Sequence, residues 1–274
     1  MAPTPAHRPS GEPFQRPDRY FNVLEQWTWV GCYGGYYLTA DLLHAAGFEH
    51  GFFTRRWQGR GPEELAGYLS TGASVHRPQQ VHGNVVLPAS KATESPWPEA
   101  DGLVSDRGGQ SLWVCGADCT PVLIADPDSG HASACHAGWR GVASRILPEA
   151  VSQLEALGAR RERLLVALGP AVSAPNYQVE NAVAEMVGNA LGSRQQSLQT
   201  LERDGVTQAD PEHGRCRLDI RRAAFLQLVN LGLRADRVSL CPLCTVSEPD
   251  LFHSWRRDQV KAVQWSGIVG QAAA

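Results

Sequence analysis

Two runs in the middle of the chain constrain the fold most. Residues 112–126 and 131–136 are each apolar or small and end in turn residues, the pattern of strands buried on both faces. Between them, Asp126-Pro127-Asp128-Ser129-Gly130 is a turn sequence whose Pro and Gly set the dihedrals, so the two runs are expected to form a hairpin. After His136 comes Ala137-Gly138-Trp139-Arg140-Gly141. Val142, Ile146, Leu147, Ala150, Val151, Leu154 and Leu157 then recur at helical spacing up to Gly158. His136 is therefore predicted to stand where a strand turns into a helix.

The flanking sequence predicts a hairpin over 27–37 and strands at 79–87 around His82, at 103–104, at 164–168 and at 238–240. Helices are predicted over 63–69, 182–191 and 218–231, the last closed by Gly232, and a C-terminal loop follows the final strand. Helices interleave with strands, and the middle strands are antiparallel neighbours, so the fold class is α+β with mixed β-sheets. Residues 1–19 are rich in Pro and polar side chains, too poor in apolar groups to offset their ordering entropy, and read as a flexible tail. No charge run or Gly/Ser tract divides residues 20–274, which are expected to form one domain.

Composition removes several function classes. A formal net charge of -3 over 274 residues gives no positive field to hold a nucleic acid. No apolar run approaches the ~20 residues of a membrane helix, and no signal peptide opens the chain, so a cytoplasmic location is expected. Seven cysteines in a reducing compartment are expected to be free thiols or ligands. Cys32, Cys115 and Cys216 read as small buried or semi-buried residues, and Cys241-Pro242-Leu243-Cys244, with no second half to complete a zinc site, as incidental spacing.

Three segments combine histidine or cysteine with nearby turns: Gln79-Gln80-Val81-His82-Gly83, Ala117-Asp118-Cys119-Thr120-Pro121, and the stretch from Cys135 to Gly141. Two imidazoles and a thiolate, from His82, His136 and Cys119, make a zinc set with its fourth position open. The competing reading is that both histidines are hydrogen-bonded core residues, since they are distant in sequence and match no short metal motif. Asp118, beside Cys119, is a candidate general base or orienting group provided strand alternation breaks there. Arg140, at the opening of a helix, suits a phosphate or an anionic transition state, and Arg55, Arg256 and Arg257 are further candidates for holding phosphate.

QVHG, ADGLVSD, ADCTPVLIAD, HAGWRG, ALGPAV and the closing CT and FHSWRRD segments together resemble the YfiH-like laccase-domain family, from about Gly51 to Val269. The resemblance implies a four-layer α/β/β/α sandwich. It also implies a Zn2+ site on His82, Cys119 and His136 and breakdown of purine nucleosides: phosphorolysis of adenosine, guanosine, inosine and methylthioadenosine, and deamination of adenosine. The chain departs from the family after Thr54, where Gly-Gly-Val-Ser and Asn-Leu-Gly segments are usual, and at Gln259-Val260-Lys261, where a Gly- and Thr-containing turn is usual. Both loops are expected to border the pocket.

Three other functions compete. A multicopper polyphenol oxidase needs many His ligands, commonly in His-x-His pairs. This chain has nine His, no such pair, and Met186 as its one methionine after the initiator, although a single Cu2+ suits the same three ligands. A thiol hydrolase would use Cys119 as nucleophile and His136 as base. A metal-binding interaction module would hold the ion without turnover.

Overall fold

The structure is a computed structural model that describes residues 24–32, 35–192 and 196–271. The tail expected at residues 1–19 lies outside the described residues. Two six-stranded sheets carry the architecture. The first runs, in spatial order, through Trp27–Cys32, Gly35–Ala40, His50–Phe53, Gln264–Val269, Gln110–Gly116 and Ser74–His76. The second runs through Val238–Leu240, Leu165–Leu168, Thr120–Ala125, Ala132–Ala137, Gly102–Val104 and Val86–Pro88. Both are mixed: Ser74–His76 joins the first sheet in parallel, Val238–Leu240 and Val86–Pro88 join the second in parallel, and the other pairings are antiparallel. A small third sheet holds Gln178–Glu180, Arg215–Leu218 and Thr207–Ala209.

Strand alternation sorts the side chains into layers. Leu123, Ala125, Ala132, Ala134, Leu165 and Ala167 face between the sheets and meet Leu38, Phe52, Leu112, Val114 and Ile268 of the first. Their neighbours Val122, Ile124, Cys135, Ala137, Val166 and Leu168 face outward, against helices Ile146–Ala156, Asn181–Asn189 and Ile220–Leu231. On the other side Trp113, Phe53 and Tyr37 pack with Leu65 and Ala66 of helix Pro62–Leu69. The result is helix, sheet, sheet, helix: the α+β sandwich of four layers expected. Among the described residues, no helix is long and apolar enough to cross a membrane.

The central hairpin forms as predicted, with Thr120–Ala125 antiparallel to Ala132–Ala137 and Val122 opposite Cys135. The side chain of Asp126 accepts hydrogen bonds from Asp128, Ser129 and the Ser129 hydroxyl and so fixes the turn. The run 112–126, however, is two strands in two different sheets, broken at residues 117–119. Residues 80–85 form a loop, in which the backbone N–H groups of Val81, His82 and Gly83 turn toward a carboxylate rather than a neighbouring strand. The helix expected over 142–157 is split into Trp139–Ala143 and Ile146–Ala156 by Arg145, whose φ of 68° interrupts the ladder. The helix predicted over 218–231 begins at Ile220, where Asp219 caps it by accepting from Arg222 N–H, and ends at Gly232 with φ 109°.

His50 supplies an acid-sensitive element of this core. Its Nε2 accepts the Ala40 N–H and its Nδ1 donates to the Phe48 carbonyl, both at 2.8 Å, an arrangement that requires the neutral ring. Burial therefore lowers its pKa to about 4. Because the folded pKa lies below the unfolded value of about 6.5, the stabilisation is complete above pH ~6.5 and is lost as pH falls toward 4, by about 3 kcal/mol. Urea midpoints from pH 7 to 4 are expected to fall less steeply in His50→Gln than in wild type; equal slopes would remove His50 from the acid response.

Candidate active site

The site is assembled where the chain passes from one sheet to the other. Gly116 ends a strand of the first sheet and Thr120 opens a strand of the second, so Ala117, Asp118 and Cys119 make the crossing. Asp118 adopts φ 93°, a left-handed conformation that Asp tolerates better than most residues. Thr120 then pairs with Ala137, and Pro121 with His136, which brings Cys119 to the end of the strand that carries His136. His136 alternates with Cys135 and Ala137 and so shares the inter-sheet side with Ala134.

His82 comes from the exposed loop before Val86–Pro88 and has φ 62°. One ligand atom from each of His82, Cys119 and His136 lies within 4.8 Å of the others, the one group of its kind among the described residues. The two imidazoles meet edge to face, with centroids 4.8 Å apart and planes at 81°. Gly138 is required beside them: a Cβ there would stand 2.7 Å from Cys119 Sγ.

Asp101 organises this group, and the sequence had given it no role. It is fully buried, yet its carboxylate accepts backbone N–H bonds from Val81 at 3.1 Å, His82 at 3.0 Å and Gly83 at 2.6 Å. It also accepts from His136 Nδ1 at 2.8 Å, leaving Nε2 to face Cys119, and its own carbonyl takes the His136 N–H. One side chain thus holds the left-handed His82 loop and orients the second imidazole. Gln80 adds a brace: its carboxamide donates to the Cys115 carbonyl and accepts the Cys115 N–H, both at 2.7 Å.

Protonation follows from these contacts. Burial pushes the Asp101 carboxyl up, but the bonds from His136, Gly83 and Val81 prevail and hold it below the usual carboxylate range. Burial likewise opposes the Cys119 thiolate, yet hydrogen bonds with His136 and His82 bring its pKa down to about 6. His136, disfavoured as a cation by burial, is raised to about 9 by Asp101 and Cys119. Two imidazoles and a ready thiolate match the donor set of a zinc centre with an open position, and copper takes the same donors.

The other predicted site residues are not all gathered here. Asp118 directs one oxygen to the Thr245 hydroxyl and the other to the Arg256 N–H, each at 2.6 Å, so its carboxylate ties the C-terminal segment to the crossing. Arg140 and Arg256 are exposed; the guanidinium of Arg140 lies 4.5 Å from the Trp139 ring centre and that of Arg256 5.1 Å from the Tyr177 ring centre. Tyr177, unremarked in the sequence, is held protonated chiefly by burial, then by Cys119, with Arg256 and Arg140 pulling the other way, so these side chains share its surroundings. Arg257 instead bonds the carbonyls of Thr245, Val246 and Phe252 and pairs with Asp258. Arg55 donates to the Pro249 carbonyl, and Arg55 and Arg257 line a cleft with residues of the final loop, including Val260. The two loops that depart from the family pattern therefore meet in one place.

All seven cysteines are free. The CxxC pair is buried, and Cys244 Sγ accepts from the Ser173 N–H at 3.3 Å.

A family model described as multi-copper polyphenol oxidoreductase laccase matches residues 62–270. A purine nucleoside phosphorylase of Synechocystis sp. is 41% identical over 258 residues, which span 89% of this chain and 97% of that protein. A purine nucleoside phosphorylase of Mycobacterium bovis is 37% identical over 180 residues, 65% of each chain. The crystal structure of YlmD from Geobacillus stearothermophilus superposes with a TM-score of 0.76 at 23% identity, covering 89% of this chain and 98% of that one, and has the same fold. With the motifs around His82, Cys119 and His136 inside the matched span, the chain belongs to the YfiH-like laccase-domain family.

Proposed function

We propose that this chain, acting as a single catalytic domain, is a zinc-dependent purine nucleoside phosphorylase that also accepts methylthioadenosine and deaminates adenosine. The observation that carries this reading is the convergence of His82, Cys119 and His136 beside Tyr177, Arg140 and Arg256, in a chain similar to proteins named for that activity. His82, Cys119 and His136 are the ligands, and zinc bound to them would supply a Lewis acid. In phosphorolysis the glycosidic carbon gains positive character as the base leaves, while phosphate attacks from the other side. Arg140 and Arg256 hold the phosphate charge, and the protonated Tyr177 hydroxyl, which has no hydrogen-bond partner among the described residues, is free to donate to it.

The test is a panel of adenosine, inosine, guanosine and methylthioadenosine, with and without phosphate, read by release of base and of ammonia. Base release that requires phosphate is expected. Arg140→Ala is expected to retain metal and raise the KM for phosphate about tenfold or more, the loss of a charged hydrogen bond. An unchanged phosphate dependence would remove Arg140 from this role.

A second reading, a thiol hydrolase with Cys119 as nucleophile and His136 as base, draws on the Cys119 pKa of about 6 beside the His136 pKa of about 9.

A further inference from the structure

Asp118 stands immediately before Cys119 yet contributes no atom to the three-donor group. It is 8% exposed, and each of its oxygens accepts a hydrogen bond from elsewhere in the chain. The main-chain carbonyl takes the Val172 N–H at 3.0 Å, which holds the segment running on to Tyr177. The carboxylate takes the Thr245 hydroxyl and the Arg256 N–H, each at 2.6 Å, which holds the segment that ends in the short helix Trp255–Asp258. The Thr245 N–H closes the triangle on the Ala171 carbonyl at 3.2 Å. A left-handed residue such as Asp118, with φ 93°, persists where its surroundings over-determine it, and these bonds do so.

The two segments carry the Arg256 and Tyr177 side chains that meet at 5.1 Å, with the phenol in electrostatic reach of Cys119. A general base must present a lone pair to the proton it takes. Both carboxylate oxygens of Asp118 are committed instead to short bonds with the C-terminal segment. What those bonds fix is the backbone of Arg256, and a reacting or anion-holding group misplaced by ~1 Å costs on the order of a hundredfold in rate.

We propose that Asp118 is a positioning residue and not a base: it fixes Arg256 and Tyr177 at the Cys119 site and so sets the affinity for the phosphate that Arg256 holds. The role rests on the phosphorylase reading for the identity of that anion.

The two roles part at Asp118→Asn. The amide oxygen can accept the Arg256 N–H while the NH2 donates to the Thr245 hydroxyl, which accepts in place of donating, and Asn tolerates a left-handed backbone as Asp does. A carboxamide cannot take the proton a base must take. Phosphate dissociation constants are measured by titration calorimetry on the full zinc-loaded chain, beside kcat and KM for phosphate, in wild type, Asp118→Ala, Asp118→Asn, Arg256→Ala and the double variant of Asp118→Ala with Arg256→Ala. Asp118→Ala is expected to weaken phosphate binding about tenfold or more, and Asp118→Asn to restore it to within about threefold of wild type. In the Arg256→Ala background the effect of Asp118→Ala should disappear, whereas a merely structural role leaves the two losses additive. Additive losses overturn the proposal, as does an Asp118→Asn that binds phosphate normally with kcat down about a hundredfold, the mark of a lost base. Should Asp118→Ala not fold, Asp118→Asn decides by the same kcat. Coupled phosphate binding without base release rejects the phosphorylase and keeps the positioning role; base release without the coupling, or no phosphate binding by wild type, rejects the positioning role.

Discussion

Asp101→Asn is expected to lower metal affinity about ten- to a hundredfold while the chain stays folded. The carboxylate receives donors only, three backbone N–H groups and His136 Nδ1–H. A carboxamide of the same shape turns an NH2 toward at least one of them, and a donor then faces a donor. Either the His82 loop loses a tether or His136 changes tautomer, and an imidazole protonated on Nε2 has no lone pair there for an ion. Asp101→Ala goes further, leaving several buried donors unmet, and is expected to cost about 3–5 kcal/mol of stability as well. Metal content after gel filtration and a zinc titration of each variant measure the effect. Wild-type affinity in Asp101→Asn would mean that the loop and the ring are positioned by something else.

Removing the ion should decide between the two enzymatic readings. In the metallophosphorylase, chelation takes base release to the uncatalysed level and zinc restores it, and Cys119→Ser and His136→Ala are each inactive because they lose the ion. In the thiol hydrolase, chelated protein stays active, and Cys119→Ser and His136→Ala are inactive because the nucleophile or its base is lost, not the ion. The chelated protein has its own pH signature. With the thiol at about 6 and His136 at about 9, Cys119 is a thiolate beside an imidazolium between those values. Its alkylation by iodoacetamide should therefore be near full rate at pH 7 and fall as pH drops through 6. A midpoint near the ordinary thiol value of about 8.5 would show that His82 and His136 do not stabilise the anion.

The donor residues were legible in the sequence because their chemistry is in the side chain. His82, Cys119 and His136 each stand in a short motif, and strand periodicity placed two of them on the central hairpin. Asp101 lay inside a quoted motif, but most of its partners are backbone N–H groups, which every residue carries. No pattern of residue types reveals them. The last strand, Gln264–Val269, falls where the sequence predicts a C-terminal loop, because Gln264, Ser266 and Gly267 obscure its alternation. The structure supplies the reason for the glycine: a Cβ at Gly267 would come within 2.7 Å of the Trp113 ring, which occupies that space. The crossing at residues 117–119 escaped for a similar reason. Apolar residues continue on both sides of it, and the switch of sheet is made by backbone dihedrals at Asp118.

That crossing has a mechanical consequence. Cys119 hangs between the sheets, and the His82 loop is moored to both of them, through Gln80 to Cys115 in one and through Asp101, just before the strand Gly102–Val104, in the other. The two layers cannot slide past each other without opening the three-pronged grip. Loosened packing deep in the interface, far from any donor atom, would be felt first as a weaker hold on the ion.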